Sequence, residues 1–191
     1  MKSRNLIYFY LILCTFIDNI YAKEKELDNS LQAQSMLSVL YAQSSAEYEA
    51  SNIQTYVNAM SALDRALNDV TWTAATEQKD NFENKPPAII LDIDETVLNN
   101  VPFQARSIMD GQSYPTGWLD WMLEESSDAV AGVSDFLEYS QSKGVKIFYV
   151  TNRIAVAEDA TRNNLKKLGL PLDTDRDVLL MKNENGWTSD K

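Results

Sequence analysis

The chain is predicted to be an α/β protein with a parallel, right-handed, doubly wound sheet, and three observations carry that prediction. Short apolar runs at residues 88–92, 145–150 and 177–181 read as strands, each too brief for an ordinary helix. Helical patterns lie between them, which gives the order βαβαβ. The first run stops abruptly at Asp92 and Asp94, as expected of a strand ending in the crevice where open α/β sheets bind their ligands.

Taken in order, the elements begin with a leader. Lys2 and Arg4 give a positive start, Leu6–Ile17 is apolar, and Ile20-Tyr21-Ala22 places a small residue before the charged segment Lys23-Glu24-Lys25-Glu26. The apolar stretch is too short to span a bilayer comfortably and suits a signal peptide over residues 1–22. The mature chain is thus expected to be exported, periplasmic or secreted, with outer-membrane association as a variant and no transmembrane span. A lipid anchor at Cys14, the single cysteine, is the alternative; Leu13 stands where a lipoprotein signal wants a small residue.

Residues 27–84 are expected to form two or three amphipathic helices on the core. Met36, Val39 and Leu40, then Ile53, Tyr56, Val57, Met60, Leu63, Leu67 and Val70 recur at helical spacing without Pro or Gly. Pro86 and Pro87 end the segment. Tyr41, Tyr48, Tyr56 and Trp72 either pack these helices or line a pocket and stack on a substrate ring.

The core is expected over residues 85–191. Its first strand, 88–92, is apolar enough to be buried. An insertion at about 99–128 shows turn chemistry at Asp110-Gly111 and Tyr114-Pro115-Thr116-Gly117, then a short helix bearing Trp118, Trp121 and Met122. A helix over Val133–Ser142 closes at Lys143-Gly144. A second strand, Val145–Val150, ends in Thr151-Asn152-Arg153. A helix from about Ala155 to Leu168 stops at Gly169, and 177–181 is the third strand.

Composition excludes several chemistries. The 191 residues carry a formal charge of −11 and no His. That rules out His-ligated zinc, a Ser-His-Asp triad and a phosphohistidine, and it opposes binding to nucleic-acid polymers. What remains is carboxylates, hydroxyls, Lys, Arg and metal. Two carboxylates at i and i+2 past a strand enter one crevice, and burying them is costly without an opposing charge. A divalent cation supplies it, and hard cations choose oxygen ligands. A carboxylate beside such an ion is a candidate nucleophile toward phosphorus.

Asp92-x-Asp94-x-Thr96 resembles the first motif of the haloacid dehalogenase superfamily. Within that superfamily three segments are similar to the class C acid phosphatases, the lipoprotein e family. They are Leu91–Asn100, Phe148-Tyr149-Val150-Thr151-Asn152-Arg153, and Asn164-Leu165 with Leu168–Pro171. Ser45–Tyr48 and the Trp118–Trp121 insertion extend the likeness over roughly residues 42–191. Glu95 and the long helical segment lean toward class C rather than class B.

The resemblance implies a haloacid-dehalogenase-like core with a small cap insertion, and a magnesium-dependent acid phosphatase of small phosphomonoesters, nucleoside monophosphates being typical. It implies Asp92 as nucleophile, forming an aspartyl-phosphate, and Asp94 as proton donor and then base. It implies magnesium on the Asp92 carboxylate and the Asp94 carbonyl. Thr151, with Asn152, would meet the phosphoryl group, and Lys191 would offset its charge. The family's fourth motif, a Gly-Asp-Asp/Asn turn after a further strand, has no counterpart up to Lys191. The sheet is therefore expected to be incomplete and the chain to be truncated, binding magnesium poorly and turning over slowly. A catalytically impaired relative and an envelope interaction protein working through residues 27–84 are the alternatives. Oligomeric state is left open. Asp173, Asp175, Asp177 and Glu184 mimic calcium-loop spacing, but Val178 stands where that loop needs Gly.

Overall fold

A computed structural model describes residues 34–75, 77–79 and 81–188. The leader 1–22, Cys14 and Lys191 lie outside the described residues. Among those described, no helix is long and apolar enough to cross a membrane.

The N-terminal segment forms α1 (Met36–Ser44) and α2 (Ala46–Leu67). Ser45 separates them because its backbone is extended and its hydroxyl accepts hydrogen bonds from the Glu47 and Tyr48 N–H groups, both 3.2 Å. That is an N-cap. Helical spacing predicts continuation to Val70, yet α2 ends at Leu67. The Thr71 amide and hydroxyl donate to Asp69 Oδ1 at 3.0 and 2.7 Å, a local turn that competes with the helix. Val70 and Trp72 are left exposed.

The core elements follow as β1 (Ala88–Leu91), β2 (Leu98–Asn99), α3 (Val101–Met109), α4 (Trp118–Leu123), β3 (Asp128–Ala129), α5 (Val133–Ser142), β4 (Lys146–Ile154), α6 (Glu158–Lys167) and β5 (Leu179–Lys182). The strands β1, β4 and β5 form a parallel sheet in the order β1-β4-β5, with Leu91 opposite Tyr149 and Tyr149 opposite Leu179. The parallel α/β architecture read from the sequence is present. A separate antiparallel ribbon pairs β2 with β3, so the insertion leaves and returns at one point.

Several boundaries differ from expectation. The insertion holds an extra helix, α3, whose first amide donates to Asn99 Oδ1 at 2.9 Å and whose Val101 and Phe103 are buried. The second strand runs on through Thr151-Asn152-Arg153 to Ile154, because Thr151 and Arg153 continue the buried alternation begun by Ile147 and Tyr149. A 3₁₀ turn, Ala155–Ala157, precedes α6. The third strand starts at Leu179, because Asp177 is drawn aside to Arg162 and accepts the Leu179 N–H at 3.2 Å.

Both crossovers, β1 to β4 and β4 to β5, advance in the same direction across the sheet. Right-handed connections then place α5 and α6 on one face. Leu137 and Leu165 from those helices share a core with Leu91, Ile147, Tyr149, Leu179 and Met181. The opposite face carries Ile90, Phe148, Val150 and Leu180. Ile90 is 68% exposed, so β1 is not buried on both faces as its apolar run suggests.

Helix α2 is fastened to this core at two places. Tyr56 packs on Phe136 with ring centroids 5.6 Å apart and donates its hydroxyl to the Thr96 carbonyl at 2.5 Å. Tyr139 donates to both Asp64 carboxylate oxygens at 2.6 and 2.7 Å. Close approach depends on Gly132, whose φ is +87° and where an added Cβ would lie 3.0 Å from the Ile53 Cα. Gly132→Ala is expected to cost roughly 1–3 kcal/mol through backbone strain and loss of this contact, measured by urea unfolding. The Tyr139 hydrogen bond, and then the Lys143 ammonium, hold the Asp64 carboxyl below its ordinary value. A depressed carboxylate contributes stability above its unfolded pKa, and that contribution is lost as pH falls through the folded value. Tyr139→Phe is therefore expected to lower the Tm at neutral pH, with the gap to wild type narrowing below about 3.9, the ordinary aspartate value. Thermal scans across that range check the sign.

Candidate active site

Past β1 the chain bends at Ile93 and turns over residues 95–97. Ile93 is fully buried, while Asp92 is exposed and Asp94 partly so. The two carboxylates thus flank a buried residue in one loop. The loop then closes tightly. The Ile93 carbonyl accepts the Thr96, Val97 and Leu98 amides at 3.3, 2.8 and 2.8 Å, and the Glu95 amide donates to the Leu98 carbonyl at 2.9 Å. Glu95 takes up the left-handed conformation this needs, with φ +56°. Val97 and Leu98 plug the core beneath. The backbone bearing Asp92 and Asp94 is thus fixed by apolar burial and by its own amides.

Beside this loop stands the end of β4. Thr151 is buried, and its Oγ1 accepts the Arg153 amide at 3.0 Å, which leaves the hydroxyl hydrogen available to an acceptor. Arg153 is 1% exposed. Its Nε donates to Asp94 Oδ1 at 2.8 Å, its Nη1 to Thr161 Oγ1 at 3.3 Å and its Nη2 to Asn100 Oδ1 at 3.2 Å. Its guanidinium carbon also lies 5.6 Å from the centroid of Trp118, within cation–π range.

Asn100 is the second hub. Its Oδ1 also accepts from Trp121 Nε1 at 2.9 Å and from Ser127 Oγ at 3.2 Å. Its Nδ2 donates to Asp94 Oδ1 at 3.0 Å. Its amide donates to Glu95 Oε1 at 2.8 Å. Burial raises the Glu95 carboxyl above its ordinary value despite these Asn100 bonds, which act the other way. The insertion is locked to the loop after β1 through these groups. Phe103 lies edge-on to Trp118 at 5.0 Å and tilted to Trp121 at 6.2 Å, and Tyr114 lies edge-on to Trp118 at 6.0 Å.

The structure therefore brings Asp92, Asp94 and Thr151 to the adjacent C-terminal ends of β1 and β4. Asn152 faces the other way, exposed on the side of β4 opposite Thr151 and Arg153. Arg153 and Asn100 have site positions that sequence reasoning passed over. A charged residue in register with Ile147 and Tyr149 was the available signal, since a buried Arg requires an acid. Of the N-terminal aromatics, Tyr56 packs on the core, and Tyr41 meets Tyr48 edge-on at 6.0 Å.

Among the described residues, no group of three acidic or thiol side chains is placed to hold one metal ion. The calcium-like carboxylates go to separate partners: Asp173 to Lys146 at 2.9 Å, Asp177 to Arg162, and Glu184 to the Met181 amide at 2.9 Å. Asp92 and Asp94 offer hard oxygen donors at one loop. That donor set fits magnesium, which keeps several waters and takes one or two carboxylates plus substrate phosphate.

The Asn100 carboxamide oxygen satisfies donors from α4, from β4 and from Ser127 just before β3. Asn100→Ala is expected to cost at least about 1–3 kcal/mol, because Trp121 Nε1 and Ser127 Oγ lose their shared acceptor. The shift in urea midpoint, with Trp fluorescence reporting on the insertion, measures it.

Comparison with known proteins gives the family. Residues 17–191 match the family model for the acid phosphatases of HAD superfamily subfamily IIIB. The class C acid phosphatase of Bacillus anthracis is similar at 38% identity and a TM-score of 0.68, covering 80% of this chain. The same enzyme with tungstate bound is similar at 37% identity and a TM-score of 0.68, again over 80% of this chain. The chain spans 59% of the length of either relative. On these matches, the chain belongs to the class C acid phosphatases of the haloacid dehalogenase superfamily.

Proposed function

We propose that the protein hydrolyses small phosphomonoesters, with Asp92 as nucleophile and Asp94 as general acid and then base. The observation that carries this is the lock on Asp94: a buried Arg153 and Asn100 hold its carboxylate at the same strand ends as Asp92 and the Thr151 hydroxyl.

An Asp92 carboxylate oxygen attacks phosphorus as the bond to the leaving oxygen breaks. Asp94 passes its proton to that oxygen, so an alcohol departs. A water then loses a proton to Asp94 and attacks phosphorus, the Asp92–phosphorus linkage breaks, and inorganic phosphate leaves. Thr151 donates to a phosphoryl oxygen throughout; the Asn152 backbone and Lys191 are candidates for the same charge. Magnesium, held by the Asp92 carboxylate and the Asp94 backbone carbonyl, would supply charge neutralisation for the phosphoryl oxygens. The leader at residues 1–22 supports export to the periplasm or the medium, and the aromatic insertion suits substrates with a flat ring such as nucleoside monophosphates.

Asp92→Asn is expected to reduce turnover of p-nitrophenyl phosphate to background while the thermal unfolding profile stays as in wild type. Retained turnover rules out the aspartyl-phosphate route. Tungstate, bound by the Bacillus relative, serves as a second probe for the whole chain by calorimetry. Tungstate binding without turnover in the wild type favours the catalytically impaired relative, and the absence of both favours an interaction protein.

A further inference from the structure

We propose that Arg153 is a positioning residue for Asp94, fixing Oδ1 as the anchored oxygen and leaving Oδ2 to exchange the proton. This rests on the phosphatase function proposed above.

Three features carry it. First, all three guanidinium nitrogens are engaged, on Asp94, Thr161 and Asn100, in a side chain that is 1% exposed. Turning toward a substrate phosphate would strand a buried charge and break three bonds at once. Three of its five N–H groups are thus committed within the protein. Second, both donors to the Asp94 carboxylate land on one oxygen, Arg153 Nε at 2.8 Å and Asn100 Nδ2 at 3.0 Å, both to Oδ1. Two N–H groups aimed at Oδ1 leave it no room for a proton, so the transferable hydrogen sits on Oδ2. The side chain retains 24% exposure, enough for that oxygen to meet a leaving group. Third, the anchor is itself anchored. Asn100 is held by Trp121 and Ser127, and Trp118 lies against the guanidinium. The insertion thus sets the direction in which Asp94 delivers its proton.

The chemistry gives a specific readout. As phosphorus passes to Asp92, the departing oxygen of an alkyl ester is strongly basic and takes the Oδ2 proton. The departing oxygen of p-nitrophenyl phosphate is a stable aryloxide and leaves without it. The ratio kcat/KM reports steps up to that departure and is blind to the later hydrolysis on Asp92. Misplacing the acid therefore penalises alkyl esters alone, whereas general damage to the site penalises both.

The test compares kcat/KM for glycerol phosphate and p-nitrophenyl phosphate in the whole chain with magnesium present. In Arg153→Met, the alkyl ester is expected to lose roughly 10–100-fold more than the aryl ester, the range of outer-shell and general-acid effects. Arg153→Lys keeps the charge but cannot reach Asp94, Asn100 and Thr161 together. It should show the same imbalance at smaller size, and it carries the test if the Met variant fails to fold. Equal losses on both esters in the folded variant overturn the assignment alone. So does a loss confined to KM with weakened inhibition by inorganic phosphate, since that makes Arg153 a phosphate ligand. Failure of the wild type to hydrolyse either ester overturns the phosphatase function and this assignment with it.

Discussion

A guanidinium with almost no contact with solvent constrains everything around it. Stripping such a cation of water costs several kcal/mol unless its N–H groups are met in good geometry, so the side chains meeting Arg153 cannot be chosen freely. They come from four places: Asp94 from the loop after β1, Asn100 from the end of β2, Thr161 from α6 and the Trp118 ring from α4. Each lies far from Arg153 in sequence or across an element, and only the folded chain collects them. The arrangement serves stability and chemistry together. Truncating Asp94, Asn100 or Thr161 orphans a buried donor, and the same bonds aim one carboxylate of the candidate catalytic pair.

The sheet determines why this can happen at strand ends. In a parallel sheet with neighbouring strands β1 and β4, the loop after Leu91 emerges beside the C-terminal half of β4, which carries Thr151 and Arg153. Right-handed crossovers put α5 and α6 on one face, where Leu137 and Leu165 close a common core. The loop after β1 is then pinned from below by Ile93, Val97 and Leu98, and from the side by the Tyr56 hydroxyl on the Thr96 carbonyl. Helix α2, remote from the carboxylates, so takes part in holding the loop that bears them. Gly132 permits this by letting the α2 backbone approach where any side chain would intrude.

Much of this is written locally. The helix over Val133–Ser142, the strand runs, the Gly169 stop and the Asp92/Asp94 pair follow from apolar period, β-branched content, terminal Gly and two acids after a short apolar run. Where prediction and structure part, a distant partner decides. Helix α3 exists because Val101 and Phe103 find burial against elements far along the chain. Strand β4 lengthens because Thr151 and Arg153 have buried partners. Strand β5 shortens because Arg162 captures Asp177.

Taken alone, the order of residues determined the α/β class, the position of the carboxylate pair and the kind of chemistry open to a chain without His. Those properties depend on near neighbours and on composition. Tertiary structure alone decided that Arg153 is buried, that Asn100 joins the insertion to the acid, and that Asn152 turns away from Thr151. The physical reason is that a cation's partners are chosen by distance in space, and no local pattern of residues records which acid will stand 2.8 Å from which guanidinium.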